Sequence, residues 1–250
     1  MSLGKLEIFS NDDENLPKMR GRLVVNHGKL DRFLTSGAEH RIGVLNPVER
    51  QMLTQIYEGQ EDGKPGCRLV GNELLRELLN EHGSIAGIAF EHLGSLARPV
   101  RALLFDKNPK NNWALGWHQD RTIAVKEKKV VAGFGPWTKK SGIHHLEPPT
   151  DIMSRMITLR VHLDDCDRDN AALLVAPGSH LEGRVPVEAV TETVERLGTF
   201  ICEARAGDVW IYSSLILHAS NAAKAPTHRR VLHIDYAANE LSGGLEWLGI

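Results

Sequence analysis

From residue 156 to 163 the chain reads Met-Ile-Thr-Leu-Arg-Val-His-Leu, with apolar and polar side chains in strict alternation after the first residue. In an extended strand successive side chains point to opposite faces. Ile157, Leu159, Val161 and Leu163 therefore share one face, and Thr158, Arg160 and His162 share the other. A helical period would scatter both sets around an axis, so this run reads as a strand. An arginine and a histidine in the middle of so regular a strand imply a polar face turned into a lined interior, as in a barrel.

Shorter runs of the same character follow Pro99, at residues 101–105, 122–125, 172–175, 208–212, 215–218 and 230–236, separated by Gly, Pro, Asn and Asp. The first hundred residues read as helical instead. Asn46-Pro47 supplies a cap and a first-turn proline ahead of Val48, Met52, Leu53 and Ile56 on one face. Asn72 caps a second helix with the stripe Leu74, Leu75, Leu78 and Leu79, and Gly83 ends it. Residues 59–66 form the connecting loop. The expectation is a mainly β protein with flanking helices: a double-stranded β-helix, the jelly roll that also underlies cupins. Residues 1–250 are read as a single domain, with 1–99 as helical support, 100–240 as the core and 126–149 as an insert.

Composition narrows the class of partner. Hydrophobic residues at 42% suffice for a core, and a net charge of -2 gives no general attraction for nucleic acid. The basic runs at 126–129 and 139–140 are too short for a polyanion stripe. Cys67, Cys166 and Cys202 lack C-x-x-C spacing, which argues against both a disulfide framework and a thiolate zinc site and for a reducing compartment. The start Met1-Ser2-Leu3-Gly4 has no secretory character, and no apolar run reaches membrane-spanning length, so a cytoplasmic protein with no membrane partner is expected. The sequence leaves the oligomeric state open.

The chemistry is concentrated in Trp117-His118-Gln119-Asp120 and in His218, at the end of an apolar run. Residues i and i+2 of a strand face the same side, so His118 and Asp120 can bind one ion together, with His218 arriving from a neighbouring strand. Two imidazoles and a carboxylate suit iron(II), and capping one face of an octahedron leaves positions for a bidentate cosubstrate and dioxygen. The other histidines read more plainly. His180 follows a tight turn, His144 and His145 lie in a Gly/Pro-rich loop on the surface, His162 and His233 are satisfied core groups or groups supporting the ligands, and His228 is exposed. Arg229 lies eleven positions after His218 and Ser220 two after it, a guanidinium fork and a hydroxyl suited to a distal carboxylate. Arg230 is the alternative anchor, because strand parity admits only one of the pair.

With the segments Trp117 to Asp120, Leu159 to Asp165, Asn170 to Leu174, Pro177 to His180 and His218-x-Ser220 followed by Arg229, the chain resembles the phytanoyl-CoA dioxygenase family over roughly residues 100–238. The resemblance implies an iron(II)- and 2-oxoglutarate-dependent oxygenase, with His118, Asp120 and His218 on iron and Arg229 and Ser220 on the cosubstrate's distal carboxylate. Arg160 stands where relatives commonly place an aromatic side chain against the cosubstrate, and Lys107 is a further candidate for cosubstrate or substrate. Ala171 replaces the glycine that usually follows the asparagine of that turn. Related halogenases put a small residue where this chain has Asp120, so hydroxylation of a C–H bond in a small metabolite or natural-product intermediate is the expected outcome. The insert at 126–149, with Trp137 as an apolar wall, is expected to line the substrate pocket as a lid. Two other readings compete: a non-catalytic jelly roll that binds metal or a small ligand, and a cupin-like metalloenzyme that does not use 2-oxoglutarate.

Overall fold

A computed structural model describes residues 27–59 and 66–250. The chain runs through α1 (His27–Ser36), β1 (Ala38–Arg41), α2 (Pro47–Glu58), β2 (Gly66–Leu69), α3 (Glu73–Leu78), α4 (Ser84–Leu93) and β3 (Arg98–Lys107). There follow β4 (Leu115–His118), β5 (Ile123–Val125), β6 (Trp137–Lys140), β7 (Ile143–Leu146), α5 (Thr150–Met153), β8 (Ile157–His162) and β9 (Leu173–Val175). The last elements are α6 (Val190–Leu197), β10 (Phe200–Cys202), β11 (Val209–Ser213), β12 (His218–Ser220) and β13 (Arg229–Ala237).

The helix signals act where they stand. Asn46 accepts from the amides of Val48 and Glu49 while the Glu49 carboxylate returns to the Asn46 amide, a complete capping box at the start of α2. Asn72 caps α3 through the Leu75 amide at 2.8 Å. Gly83 does not end that helix. α3 is over by Leu79, and Gly83 is the cap residue that opens α4, whose sequence is apolar on several sides and gives no clear stripe to read. The N-terminal region is also more than helical support, since β1 and β2 are the two edge strands of the largest sheet.

That sheet has six strands in the order β1-β11-β8-β13-β3-β2; a second has four, β10-β9-β12-β4, and every pairing is antiparallel. The architecture is a jelly roll of the cupin-like kind. Alternation sorts the large sheet into two faces. Leu104, Leu159, Ile211, Leu232 and Ile234 pack outward against Leu53, Ile56, Leu75, Leu78 and Ile85 of the helices. The inward face carries Arg101, Lys107, Arg160, Tyr212, Arg229 and His233. Trp210 and Tyr212 meet Leu173, Val175 and Cys202 of the small sheet to close one side of the interior.

Two readings of the sequence change. Residues 213–216 form a turn, closed by the Ile216 amide on the Ser213 carbonyl at 2.9 Å, so Leu215–Leu217 are not strand and His218 opens β12 and does not end a strand. Ser213-Ser214 marks the end of β11 in the sequence, but nothing in Leu215-Ile216-Leu217 shows that these apolar residues belong to the connection and not to the next strand. The 126–149 insert contains β6 and β7, which join β5 in a three-stranded sheet, and Phe134 and Trp137 pack against a satellite core with Leu146, Met153, Leu241 and Trp247.

Candidate active site

Antiparallel pairing of β4 with β12 sets His118 directly opposite His218, with ring centroids 4.2 Å apart. Asp120 follows β4 by two residues, and one donor atom from each of the three lies within 4.8 Å of the others. The Nδ1 of His118 is 2.8 Å from the Gly116 carbonyl, and that of His218 is 3.0 Å from the Ile216 carbonyl. A carbonyl only accepts, so Nδ1 carries the proton in both rings and Nε2 is left with its lone pair free. Burial, followed by the effect of His118, outweighs Asp120 and lowers the His218 pKa to about 4, which keeps this imidazole neutral. One oxygen of Asp120 is buried without a hydrogen-bond partner. Burial pushes this carboxyl upward, but Arg101 and His218 outweigh it and hold the group below its ordinary value. A pair of imidazoles oriented by backbone carbonyls beside an unspent carboxylate oxygen fits a divalent cation.

Asp120, His233 and Asp235 also approach one another closely. Asp235 is already committed: it accepts from Thr158 at 2.8 Å, lies 3.1 Å from His233 Nε2 and makes a very short contact with Arg101. Arg101 reaches on to Asp120 at 3.8 Å, so this group braces the first triad from behind.

The loop between the ligand positions is held by Gln119, which sequence reading passed over as a spacer. Its Nε2 donates to the carbonyls of Gly183 and Leu215 at 2.7 and 2.6 Å, and its Oε1 accepts from Val185 at 2.9 Å. Amide bonding in both directions at a buried position fixes where His118 and Asp120 point.

Beside the triad lies a well of positive charge. Lys107 and Arg229 are cross-strand partners, and Arg160 projects from β8 into the same cavity. All three are buried, and none has a carboxylate partner among the described residues. Lys107 Nζ donates to Ser220 Oγ at 2.7 Å and to the Asn221 carbonyl at 2.5 Å. Arg229 donates to the Ala171 carbonyl at 3.0 Å, and its Nε is buried with no partner. Burial, then Arg229 and Arg160, push the Lys107 ammonium down to about 7, and burial and Arg160 push Arg229 down to about 10. Like charges packed together without a counter-ion are costly, and an anion between them removes the cost.

Ala171 sits at the centre of this arrangement with φ of 59°, the left-handed conformation that glycine adopts freely and a residue with a Cβ rarely takes. Its carbonyl serves both Arg229 and Ser220, the latter at 3.3 Å. Parity decides between the two arginines. Arg229 falls on the inward row, while Arg230 makes a two-pronged bond to Asp164 at 2.9 and 2.6 Å outside it.

The cavity measures about 410 Å³ and also includes Phe105, Trp113 and Leu115. Trp137 is not in its wall. The ring packs with the satellite core and against His144, and Lys140 is the residue that the hairpin contributes. Trp113, ahead of β4, was missed because the stretch around it shows no period. His145, expected on the surface, is fully buried in β7. His162 is buried as expected, but neither of its ring nitrogens has a hydrogen-bond partner. His180 bonds the Leu34 carbonyl at 3.2 Å, His233 supports Asp235, and His228 is exposed and paired with Asp106.

Fold and site together define a jelly-roll oxygenase that depends on non-heme iron and 2-oxoglutarate. The model of the family Phytanoyl-CoA dioxygenase matches residues 60–231, and the chain belongs to that family. Several solved structures share the fold at low identity. The epimerase SnoN, in complex with Fe3+, alpha ketoglutarate and nogalamycin RO, has a TM-score of 0.62 at 18% identity, covering 87% of this chain and 90% of that one. EctD from S. alaskensis in its apoform has 0.64 at 16%, covering 96% and 84%. HygX from Streptomyces hygroscopicus, with nickel and 2-oxoglutarate bound, has 0.59 at 14%, covering 85% and 86%. No curated protein matches the sequence.

Proposed function

We propose that His118, Asp120 and His218 hold the iron(II), that Arg229, Ser220, Lys107 and Arg160 receive 2-oxoglutarate, and that the reaction is hydroxylation of a C–H bond in a small molecule. The observation that carries this is the juxtaposition of two oriented imidazoles and an unspent carboxylate oxygen with buried cations that lack a counter-ion. When bound, the metal supplies activation of dioxygen coupled to oxidative decarboxylation of the cosubstrate to succinate.

The protein's own part is orientation and exclusion of water. The Gly116 and Ile216 carbonyls fix both imidazoles, Arg101 holds the Asp120 carboxylate ionised, and Gln119 locks the intervening loop. The Arg229 fork, aimed by Ala171, takes the distal carboxylate, and Lys107, held by Ser220, adds a charged donor. No side chain is needed as general acid or base, and none is assigned. Among the described residues no helix is long and apolar enough to cross a membrane; with Cys166 and Cys202 present as buried thiols, a reducing, cytoplasmic setting is the reading we favour.

The test is incubation with ferrous iron and 2-oxoglutarate under air, followed by substrate screening with isotopically labelled dioxygen. Succinate formation that disappears in Asp120→Ala, and one labelled oxygen in the product, are the expected results. Succinate without label in the product points to a net reaction such as the epimerisation named for SnoN, and no succinate under any condition overturns the assignment.

A further inference from the structure

The cavity wall contains Arg68, Arg101, Lys107, Lys140, Arg160 and Arg229 against one acidic residue, Asp120. Most of this charge is accounted for. Arg101 is spent on Asp235 and Asp120, and Lys107, Arg160 and Arg229 form the cosubstrate well. Arg68 and Lys140 remain, and neither has a carboxylate partner among the described residues.

We propose that Arg68 and Lys140 form a second anion-recognition site in this cavity, so that the substrate is a small organic anion whose apolar body rests on Leu103, Phe105, Trp113 and Leu115. The inference deepens the oxygenase reading and rests on it.

The register explains how Arg68 comes to be there. β2 pairs with β3 so that Gly66 lies opposite Phe105 and Arg68 opposite Leu103, which places Arg68 on the inward face. A Cβ on Gly66 would stand 2.9 Å from the Phe105 ring, so glycine lets that ring lie close against β2 and form part of the apolar wall. The Nε of Arg68 is buried without a hydrogen-bond partner. Lys140 enters from the last residue of β6, on the side of the three-stranded sheet.

His145 reports the same concentration of charge. It is fully buried in β7, its Nδ1 lies 3.1 Å from the Ile143 carbonyl, and its Nε2 has no partner. Burial first, and then Arg101, Arg68 and Lys140, push it down to about 4, so it adds no charge of its own. Burying part of a guanidinium beside a second guanidinium is expensive unless something negative arrives. Once the well has taken its diacid, the negative charge left to arrive is the substrate's. The volume of about 410 Å³ is shared with 2-oxoglutarate, which restricts the substrate to a small carboxylate or phosphate ester.

The test uses the anaerobic Fe(II)·2-oxoglutarate complex of the full chain and calorimetric titration with hexanoate, hexyl phosphate and the neutral hexanamide. At least one of the two anions is expected to bind roughly tenfold or more tightly than the amide, the contribution of one charge-assisted hydrogen bond. Raising the salt is expected to narrow the gap. The two anions separate a carboxylate site from a phosphate site. Arg68→Gln and Lys140→Gln are each expected to weaken the preferred anion by roughly tenfold while leaving hexanamide unaffected. Equal binding of anion and amide, no binding of either anion at millimolar concentration, or variants that bind the anion as the parent does would overturn the inference. Cosubstrate binding is measured first: its absence overturns the oxygenase reading, whereas its presence with no anion preference overturns only this proposal. If Arg68→Gln also loses 2-oxoglutarate, the barrel itself is damaged, and Lys140→Gln, on an exposed strand, decides the question.

Discussion

Binding of 2-oxoglutarate should draw a proton from solution, because Lys107 is only half protonated near neutrality in the free protein. Burial, and then Arg229 and Arg160, lower its pKa to about 7. One unit above that, near pH 8, roughly nine-tenths of the molecules carry a neutral amine. A distal carboxylate within hydrogen-bond reach restores the charged form and raises the pKa in the complex. The sign follows directly. Below about 7 the lysine is already charged and affinity is flat on its account; above it, each unit of pH costs up to about tenfold in affinity until the pKa of the complex is reached. Arg229, at about 10, stays charged throughout this window. Calorimetry of the metal-loaded protein between pH 7 and 8.5, in buffers of different ionisation enthalpy, would read the uptake as rising from about half a proton toward one. Lys107→Met should bind more weakly at pH 7 and lose the slope. A parent protein whose affinity is level across that range, with no proton taken up, would refute the reasoning.

Other expectations concern the same cavity. Asp120→Asn keeps the shape of the side chain but removes the charge that Arg101 faces, and a fall of at least tenfold in iron affinity, read by anaerobic metal titration, is expected. Arg229→Lys should raise the KM for 2-oxoglutarate by roughly ten- to a hundredfold because an ammonium cannot reproduce the fork. By contrast, Arg230→Ala should cost about 1 kcal/mol of stability through its lost bond to Asp164 and leave that KM alone, which thermal melts and kinetics together would show. Ala171→Val places a β-branched residue at φ of 59°. A loss of about 2 kcal/mol, a Tm lower by roughly 4–8 °C, and a raised KM are expected as the carbonyl between Arg229 and Ser220 moves.

The alternation from 157 to 163 was legible because one face of β8 is apolar and the other polar, and the structure uses each as read: Leu159 and Val161 face the helices while Arg160 faces the cavity. That His118 and Asp120 come together was legible through their spacing, and Arg229 was singled out by its distance from His218. That Leu215, Ile216 and Leu217 belong to a connection was not legible, because all three side chains are buried and so keep the apolar composition of a strand. Trp137 was misplaced for a related reason: an aromatic in a Gly/Pro-rich insert fits a lid and a satellite core equally well, and only packing against Leu146 and Trp247 distinguishes them.

Residue types and their spacing along single strands were thus set by the sequence alone: which side chains can ligate a metal, which share a face, and which anchor suits a diacid. Tertiary structure decided everything that depends on pairing between distant segments. It put His118 opposite His218, turned Arg229 inward and Arg230 outward, and brought Arg68 and Lys140 to one cavity. Strand register fixes these distances, and register is a property of two segments at once, which no local pattern in either one contains.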